Sequence, residues 1–147
     1  MAAALVLGAC AAPAAAEPAP PAPSATSVTP SVFLSEGGML RPIANGGRVP
    51  IADGSVELSF APYPPATTTK LDVVVRDAAG RPTAADVMVV YDMIGMEHGA
   101  MSARAVAEGE HHRASIGLPM SGPWRFVLRV ARPGDVTSLL FIVPDGQ

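Results

Sequence analysis

Three methionines and a histidine lie close together in the middle of the chain: Met93, Met96, His98 and Met101. A fourth methionine, Met120, lies in a short segment rich in glycine and proline. Thioether sulfur is a soft, uncharged donor that suits Cu(I), and imidazole binds copper in either oxidation state. Thioethers also keep their donor function in oxidising compartments, where thiols form disulfides. The cluster therefore predicts a copper site, favouring Cu(I), formed by these five side chains.

The same residues have a purely structural interpretation. Methionine is flexible and fills irregular gaps in protein cores, so the cluster would then pack one end of a domain, with His98 exposed to solvent. The nearby Asp92 and Glu97 are hard oxygen donors that match Cu(I) poorly. We expect Asp92 to cap a turn and Glu97 to be solvated. Trp124, which opens an alternating segment, is expected to pack in the core.

Short alternating or β-branched runs, separated about every eight to twelve residues by Gly, Pro or Asp, predict strands. No long segment shows the period of a helix. We predict an all-β fold, an immunoglobulin-like β-sandwich of about seven short antiparallel strands, with a small barrel as the alternative. The predicted strands are 55–60, 70–76, 86–91, 102–107, 111–117, 124–130 and 136–143.

Strand direction predicts which loops meet. Successive antiparallel strands alternate in direction, which places the 92–101 and 118–123 loops at the same end of the sandwich. The 61–68 segment falls at that end too, so Tyr63 is expected near the site. His111 and His112 begin a strand at the other end, about 23 Å away at ~3.3 Å per residue. We expect both to be solvated rather than to bind the ion.

The only cysteine is Cys10, which excludes an intramolecular disulfide. Residues 1–9 are apolar and end in small residues, as export signals do. No basic residue precedes the run, so we expect the true initiator to lie upstream. Leu7-Gly8-Ala9-Cys10 resembles a bacterial lipobox, in which the cysteine becomes the lipid-modified first residue. The prediction is a signal peptide over 1–9 and a lipoprotein anchored at Cys10, facing the periplasm of the bacterial envelope.

The predicted organisation is an Ala/Pro-rich linker over 10–35 and one β-domain over 36–147. Proline-rich segments are extended and semi-rigid, so the linker would act as a spacer. The net charge of −3 gives no basic groove for nucleic acid and no broad basic face for membranes. Because no Ser/His/Asp arrangement, carboxylate pair or nucleotide loop is present in the sequence, we do not expect an enzyme.

Two motifs carry a family resemblance: Met93-Ile-Gly-Met96 followed by His98, and Leu118-Pro-Met-Ser-Gly-Pro-Trp124. With the strand and turn ending at Asp77-Ala-Ala-Gly-Arg-Pro82, residues 54–143 resemble the YtkA-like domain family, which is related to FixH-like proteins. The resemblance implies a small exported β-sandwich associated with copper handling, oxidase assembly or metal efflux. It extends that role to Met93, Met96, His98, Met101 and Met120.

Two functions follow from these observations. The first is a copper chaperone, carrier or buffer, which would hand its ion to a copper-accepting or membrane-complex protein. The second is a metal-free interaction module that docks on a membrane or efflux complex, with the methionine loop as an adaptable apolar contact.

Overall fold

The computed structural model describes residues 31–97 and 99–144. The predicted signal peptide, Cys10, residues 10–30 of the predicted linker and His98 lie outside the described residues. The described chain forms eleven strands in two antiparallel sheets, which confirms the all-β sandwich. The strands are β1 (Ser31–Glu36), β2 (Met39–Ala44), β3 (Arg48–Ile51), β4 (Gly54–Ala61), β5 (Thr68–Arg76), β6 (Asp86–Met93), β7 (Met101–Arg104), β8 (Val106–Glu108), β9 (His111–Gly117), β10 (Trp124–Arg132) and β11 (Asp135–Val143).

Edge strands of the two sheets follow each other along the chain. The first sheet has the order β2-β1-β11-β10-β6-β7, and the second has the order β3-β4-β5-β9-β8. The chain passes from one sheet to the other four times, and two of these crossings, between β2 and β3 and between β7 and β8, lie at the edges of the sheets. At both places an edge strand of one sheet continues directly into an edge strand of the other.

The described strands outnumber the seven that were predicted. Three additional strands lie within residues 31–51, and β1 overlaps the segment assigned to the linker. Val32 and Leu34 of β1 are fully buried, so this stretch contributes to the core. The predicted strand 102–107 is divided at Ala105, whose backbone N–H donates to the Val87 carbonyl at 2.9 Å. This bond holds the chain where it crosses between the sheets.

The core lies between the inward faces of the sheets and is mostly valine and leucine, with a group of aromatic rings towards one end. Tyr91 stacks on Phe126, with centroids 5.7 Å apart, and lies 6.2 Å from Trp124. Trp124 is only 4% exposed, as expected for a core residue. Aromatic pairs of this kind contribute about 0.5–1.5 kcal/mol beyond the area that they bury. These ring contacts fix the position of Trp124 and of the backbone next to it.

His112 differs from its prediction. The residue is 4% exposed and faces inward with Ala114 and Ile116, because inward and outward side chains alternate along β9. Its neighbour His111 faces outward and lies 2.6 Å from Asp72. The expectation that both histidines are solvated is therefore wrong for His112. Its buried Nδ1 has no hydrogen-bond partner among the described residues.

Candidate metal centre

Three loop segments meet at one end of the sandwich, as the alternation of strand direction predicts. The backbone N–H of Ile94 donates to the Pro123 carbonyl at 2.9 Å, which joins the segment after β6 to the segment before β10. The N–H of Leu118 donates to the Thr67 carbonyl at 2.7 Å, which adds the 61–68 segment. We call this end, formed by residues 61–68, 93–97, 99–101 and 118–124, the methionine end.

Met93 is the last residue of β6 and faces the interior. It pairs with the buried Trp124 across the sheet, so the two side chains share a face. The Met93 methyl group lies against Gly122, in the position that a Cβ at residue 122 would occupy. Gly122 also has a φ of +145°, which side-chain-bearing residues rarely adopt. Glycine at 122 therefore lets the second loop close over Met93.

Met101 is the first residue of β7 and lies opposite the buried Tyr91. Since Tyr91 precedes Met93 by two residues on the same strand, Met93 and Met101 are diagonal neighbours. Diagonal positions lie about 7–8 Å apart, within reach of long side chains. Both methionines are half-buried and pack against the core. The sequence predicts both in loops, whereas they lie at strand ends and face inward.

Met96 and Met120 are more exposed, each at 37%. Met96 follows a turn at Gly95, which has a φ of +83°, and its N–H donates to the Met93 carbonyl at 3.4 Å. The Met120 carbonyl accepts a hydrogen bond of 3.2 Å from Nε1 of Trp124. This bond satisfies the buried indole and holds the 118–123 loop at the methionine end.

Met93 lies between two open clefts. The first, of about 240 Å³, is lined by Met120, Gly122 and Trp124, together with the 65–67 segment and the end of β11. The second, of about 330 Å³, is lined by Met93, Met96 and the side chains of Asp92 and Arg125. Met93 therefore lines the second cleft with Met96 and touches Gly122, which lines the first cleft with Met120.

The carboxylates near the cluster are engaged or solvated. Asp92 binds Arg125 through both oxygens, with Nε to Oδ1 at 2.9 Å, where the sequence analysis expected a turn cap. Hydrogen bonding to Asp92 raises the pKa of the Arg125 guanidinium above its usual value. Glu97 is exposed, as expected. Within residues 31–97 and 99–144, no three His, Cys, Asp or Glu side chains are grouped to hold an ion. The donors that this end offers are therefore mainly sulfur atoms.

Tyr63 lies at the methionine end, in the segment where it was expected. It is partly buried against the core, and this burial raises the pKa of its hydroxyl. It lines neither of the two clefts beside Met93. The structure thus gives Tyr63 a packing role.

Sequence reasoning missed Gly122 as the residue that admits the Met93 methyl. Its place in Ser121-Gly122-Pro123 marked a turn but did not reveal which side chain it faces. Among the described residues, no helix is long and apolar enough to span a bilayer. Comparison of the chain with models of known protein families, with curated proteins and with solved structures found no match.

Proposed function

We propose that the methionine end binds Cu(I) and that the protein is a copper chaperone, carrier or buffer of the bacterial envelope. The observation that carries this proposal is the contact of Met93 with Gly122, together with the hydrogen bond from Ile94 to Pro123. These contacts bring two separate stretches of chain, each bearing thioethers, to one end of the fold. Soft sulfur donors favour Cu(I) over hard divalent ions.

The arrangement of the four described methionines suits an exchangeable ion. Met93 and Met101 are held by packing against the core, so their sulfurs are positioned before an ion arrives. Met96 and Met120 are each 37% exposed and remain accessible to an incoming or accepting ligand. An ion bound by both pairs would be held by the half-buried Met93 and Met101, and an accepting ligand could reach it beside the exposed Met96 and Met120. His98 is proposed as an additional ligand on the strength of its sequence position alone.

The remaining parts of the proposal come from the sequence. A lipid anchor on Cys10 and a proline-rich spacer over residues 10–30 would hold the domain near a membrane, in reach of a copper-accepting protein. The resemblance to the YtkA-like domain family supports the same role. Since the two motifs that carry this resemblance both lie at the methionine end, fold and proposed site support one hypothesis.

The test is a titration of the purified full chain with Cu(I) against a competing chelator. We expect about one Cu(I) per chain, since one cluster of soft donors is present. Met93→Leu and Met96→Leu remove a sulfur while keeping most of the side-chain volume, and should each weaken binding at least about tenfold. Replacing Met96 and His98 together with Ala should weaken it at least as much. Unchanged affinity in these variants would refute the proposal.

Met39→Leu is the matched control. Met39 is 77% exposed at the turn between β1 and β2, which lies level with the middle of β11 and away from the methionine end. The substitution removes one thioether from the chain without touching the methionine end, so the affinity for Cu(I) should not change. A loss equal to that of Met96→Leu would show that binding does not depend on the proposed site.

The metal-free alternative has one observation in its favour. Ile94, Met96 and Met120 expose apolar surface at the same end, at 43%, 37% and 37%, and exposed apolar groups mark contact surfaces when they cluster. In that case a partner would bind equally well with copper removed by a chelator. A partner that binds only the Cu(I)-loaded protein would favour the copper carrier.

A further inference from the structure

The outward face of the first sheet is apolar across its centre. Val90 of β6, Val127 of β10 and Leu140 of β11 lie side by side in the register of the sheet. The adjacent row pairs Phe33 of β1 with Ile142 of β11, and Leu40 of the edge strand β2 is 56% exposed. We call this group of six side chains the apolar face.

The sequence of the central strands shows the same feature. The end of β11 is apolar at five consecutive positions, 139–143, so both of its faces carry apolar side chains. A strand that faces water on one side alternates apolar and polar residues, whereas a continuous apolar run is typical of a strand covered on both sides. One side of β11 is covered by the second sheet. The other side has no cover within the described chain.

The outward face of the second sheet is different and serves as an internal comparison. It carries the ion pairs Arg76–Glu57, Arg113–Asp72 and Arg113–Glu108, which are typical of a solvated surface. The side chains on the two outward faces therefore differ in chemical character. The first face also carries ion pairs, Arg125–Asp92 and Arg104–Asp86, but they flank a central row that is apolar.

The charges around the apolar face are nearly balanced. Arg125 is bound by Asp92, and Arg104 lies 3.5 Å from Asp86. Arg129 is the outward-facing cation of the first sheet that has no ion-pair partner within the described residues. A surface with one unbalanced charge can meet an identical surface with little electrostatic repulsion, although the whole chain carries a net charge of −3.

We propose that the apolar face is the interface of a homodimer, in which a second copy of this chain packs its own first sheet against it. Two sheets pack face to face about 10 Å apart, as the two sheets of each domain do. A two-fold interface must be self-complementary, and a nearly neutral sheet with an apolar centre meets that condition. The proposal does not depend on copper binding.

The outward side of the first sheet, which is the apolar face together with the charged residues around it, is large enough for a stable dimer. Five inter-strand spacings in the six-stranded sheet give a width of about 24 Å, and the nine-residue strands β10 and β11 give a height of about 30 Å. The resulting area of about 700 Å² is close to the ~800 Å² per partner that stable interfaces bury.

The test is sedimentation equilibrium of the full chain carrying Cys10→Ser, which prevents acylation and intermolecular disulfides. We expect the mass of a dimer, and an increase of at least about tenfold in the dissociation constant for Leu140→Arg, which places a charge in the centre of the interface. Ser115→Arg is the matched control. Ser115 is exposed on the outward face of the second sheet, so this variant should remain dimeric.

Circular dichroism establishes that Leu140→Arg is folded, and Val127→Lys is the second variant if it is not. A wild-type chain that sediments as a monomer throughout the micromolar range would overturn the proposal and would assign the apolar face to a different protein. A folded Leu140→Arg or Val127→Lys variant that stays as dimeric as Ser115→Arg would overturn it too. Neither outcome affects the Cu(I) titration, so the two proposals fail separately.

Discussion

Replacing Gly122 with alanine tests the contact on which the candidate site depends. The new methyl group would enter the space that the Met93 methyl fills, at a backbone φ of +145°. Holding a non-glycine residue in such a conformation costs about 1–3 kcal/mol. The overlap itself adds about 1 kcal/mol, the lower end of the usual cost of overpacking, because the end of a methionine side chain can rotate away. We therefore expect a loss of about 2–4 kcal/mol in the free energy of unfolding.

Urea denaturation of four variants, Gly122→Ala, Gly117→Ala, Met93→Ala and the double variant of Gly122 and Met93, separates the two contributions. Gly117→Ala is the matched control, since Gly117 is also a glycine near the methionine end, has no positive φ and has open space where its Cβ would lie. It should leave the stability unchanged or raise it by up to about 1 kcal/mol. In a Met93→Ala background the overlap disappears, so the cost of Gly122→Ala should fall by about 1 kcal/mol.

The same substitution should also affect the metal. If the Met93 side chain rotates away from residue 122, its sulfur leaves the position between the two clefts, and Cu(I) affinity should fall even where the protein remains folded. The reasoning is refuted if Gly122→Ala has a stability within about 0.5 kcal/mol of Gly117→Ala. It is also refuted if the cost of Gly122→Ala is the same with Met93 present and absent.

Three further predictions concern buried and charged groups. In urea denaturation, His112→Leu should change the free energy of unfolding by no more than about 1 kcal/mol, because the buried Nδ1 has no hydrogen-bond partner to lose. His112→Ala should lower it by about 2 kcal/mol or more, because the smaller side chain leaves a cavity. Burial raises the pKa of Asp72, but hydrogen bonds from Arg113 and His111 outweigh it and lower the pKa below its usual value. Stability from this carboxylate is therefore complete at neutral pH and is lost as pH falls below about 4, and Asp72→Asn should flatten the pH dependence of the urea midpoint there. Asp92→Asn should leave Cu(I) affinity within about twofold, since its oxygens bind Arg125 and are poor ligands for a soft ion.

Periodicity predicted the later part of the fold well. Every second residue of 124–130 is apolar, and these positions face inward with the buried Trp124, Phe126 and Leu128, whereas the outward positions are two arginines and Val127. The strands before residue 52 were missed because their apolar residues are sparse and lie among glycine and proline. Val32 and Leu34 become core residues only through pairing with β11, a contact between distant parts of the chain. A local pattern carries no information about such a partner.

The candidate site was predicted in part for the same reason. Counting strand directions placed the segments containing Met96 and Met120 at one end, and the hydrogen bond from Ile94 to Pro123 joins those segments. The alternation of strand directions could not show that Met93 and Met101 lie at strand ends and face inward, because that depends on the residue at which each strand begins or ends. The burial of His112 was missed because its neighbour His111 is outward, and the register of a strand that begins with two histidines is ambiguous from sequence.

The two crossings that join edge strands, from β2 to β3 and from β7 to β8, bear on how this protein resists misassembly. Unpaired edge strands are templates for strand exchange and fibril growth, and proteins protect them by keeping them short or interrupting them with proline. Here β3 and β7 have four residues each, β8 has three, and β2 contains Pro42. Each of these edges also bends directly into the opposite layer, so a foreign strand can extend neither sheet very far. Copies of the chain can therefore be crowded together with little tendency to polymerise through their edges.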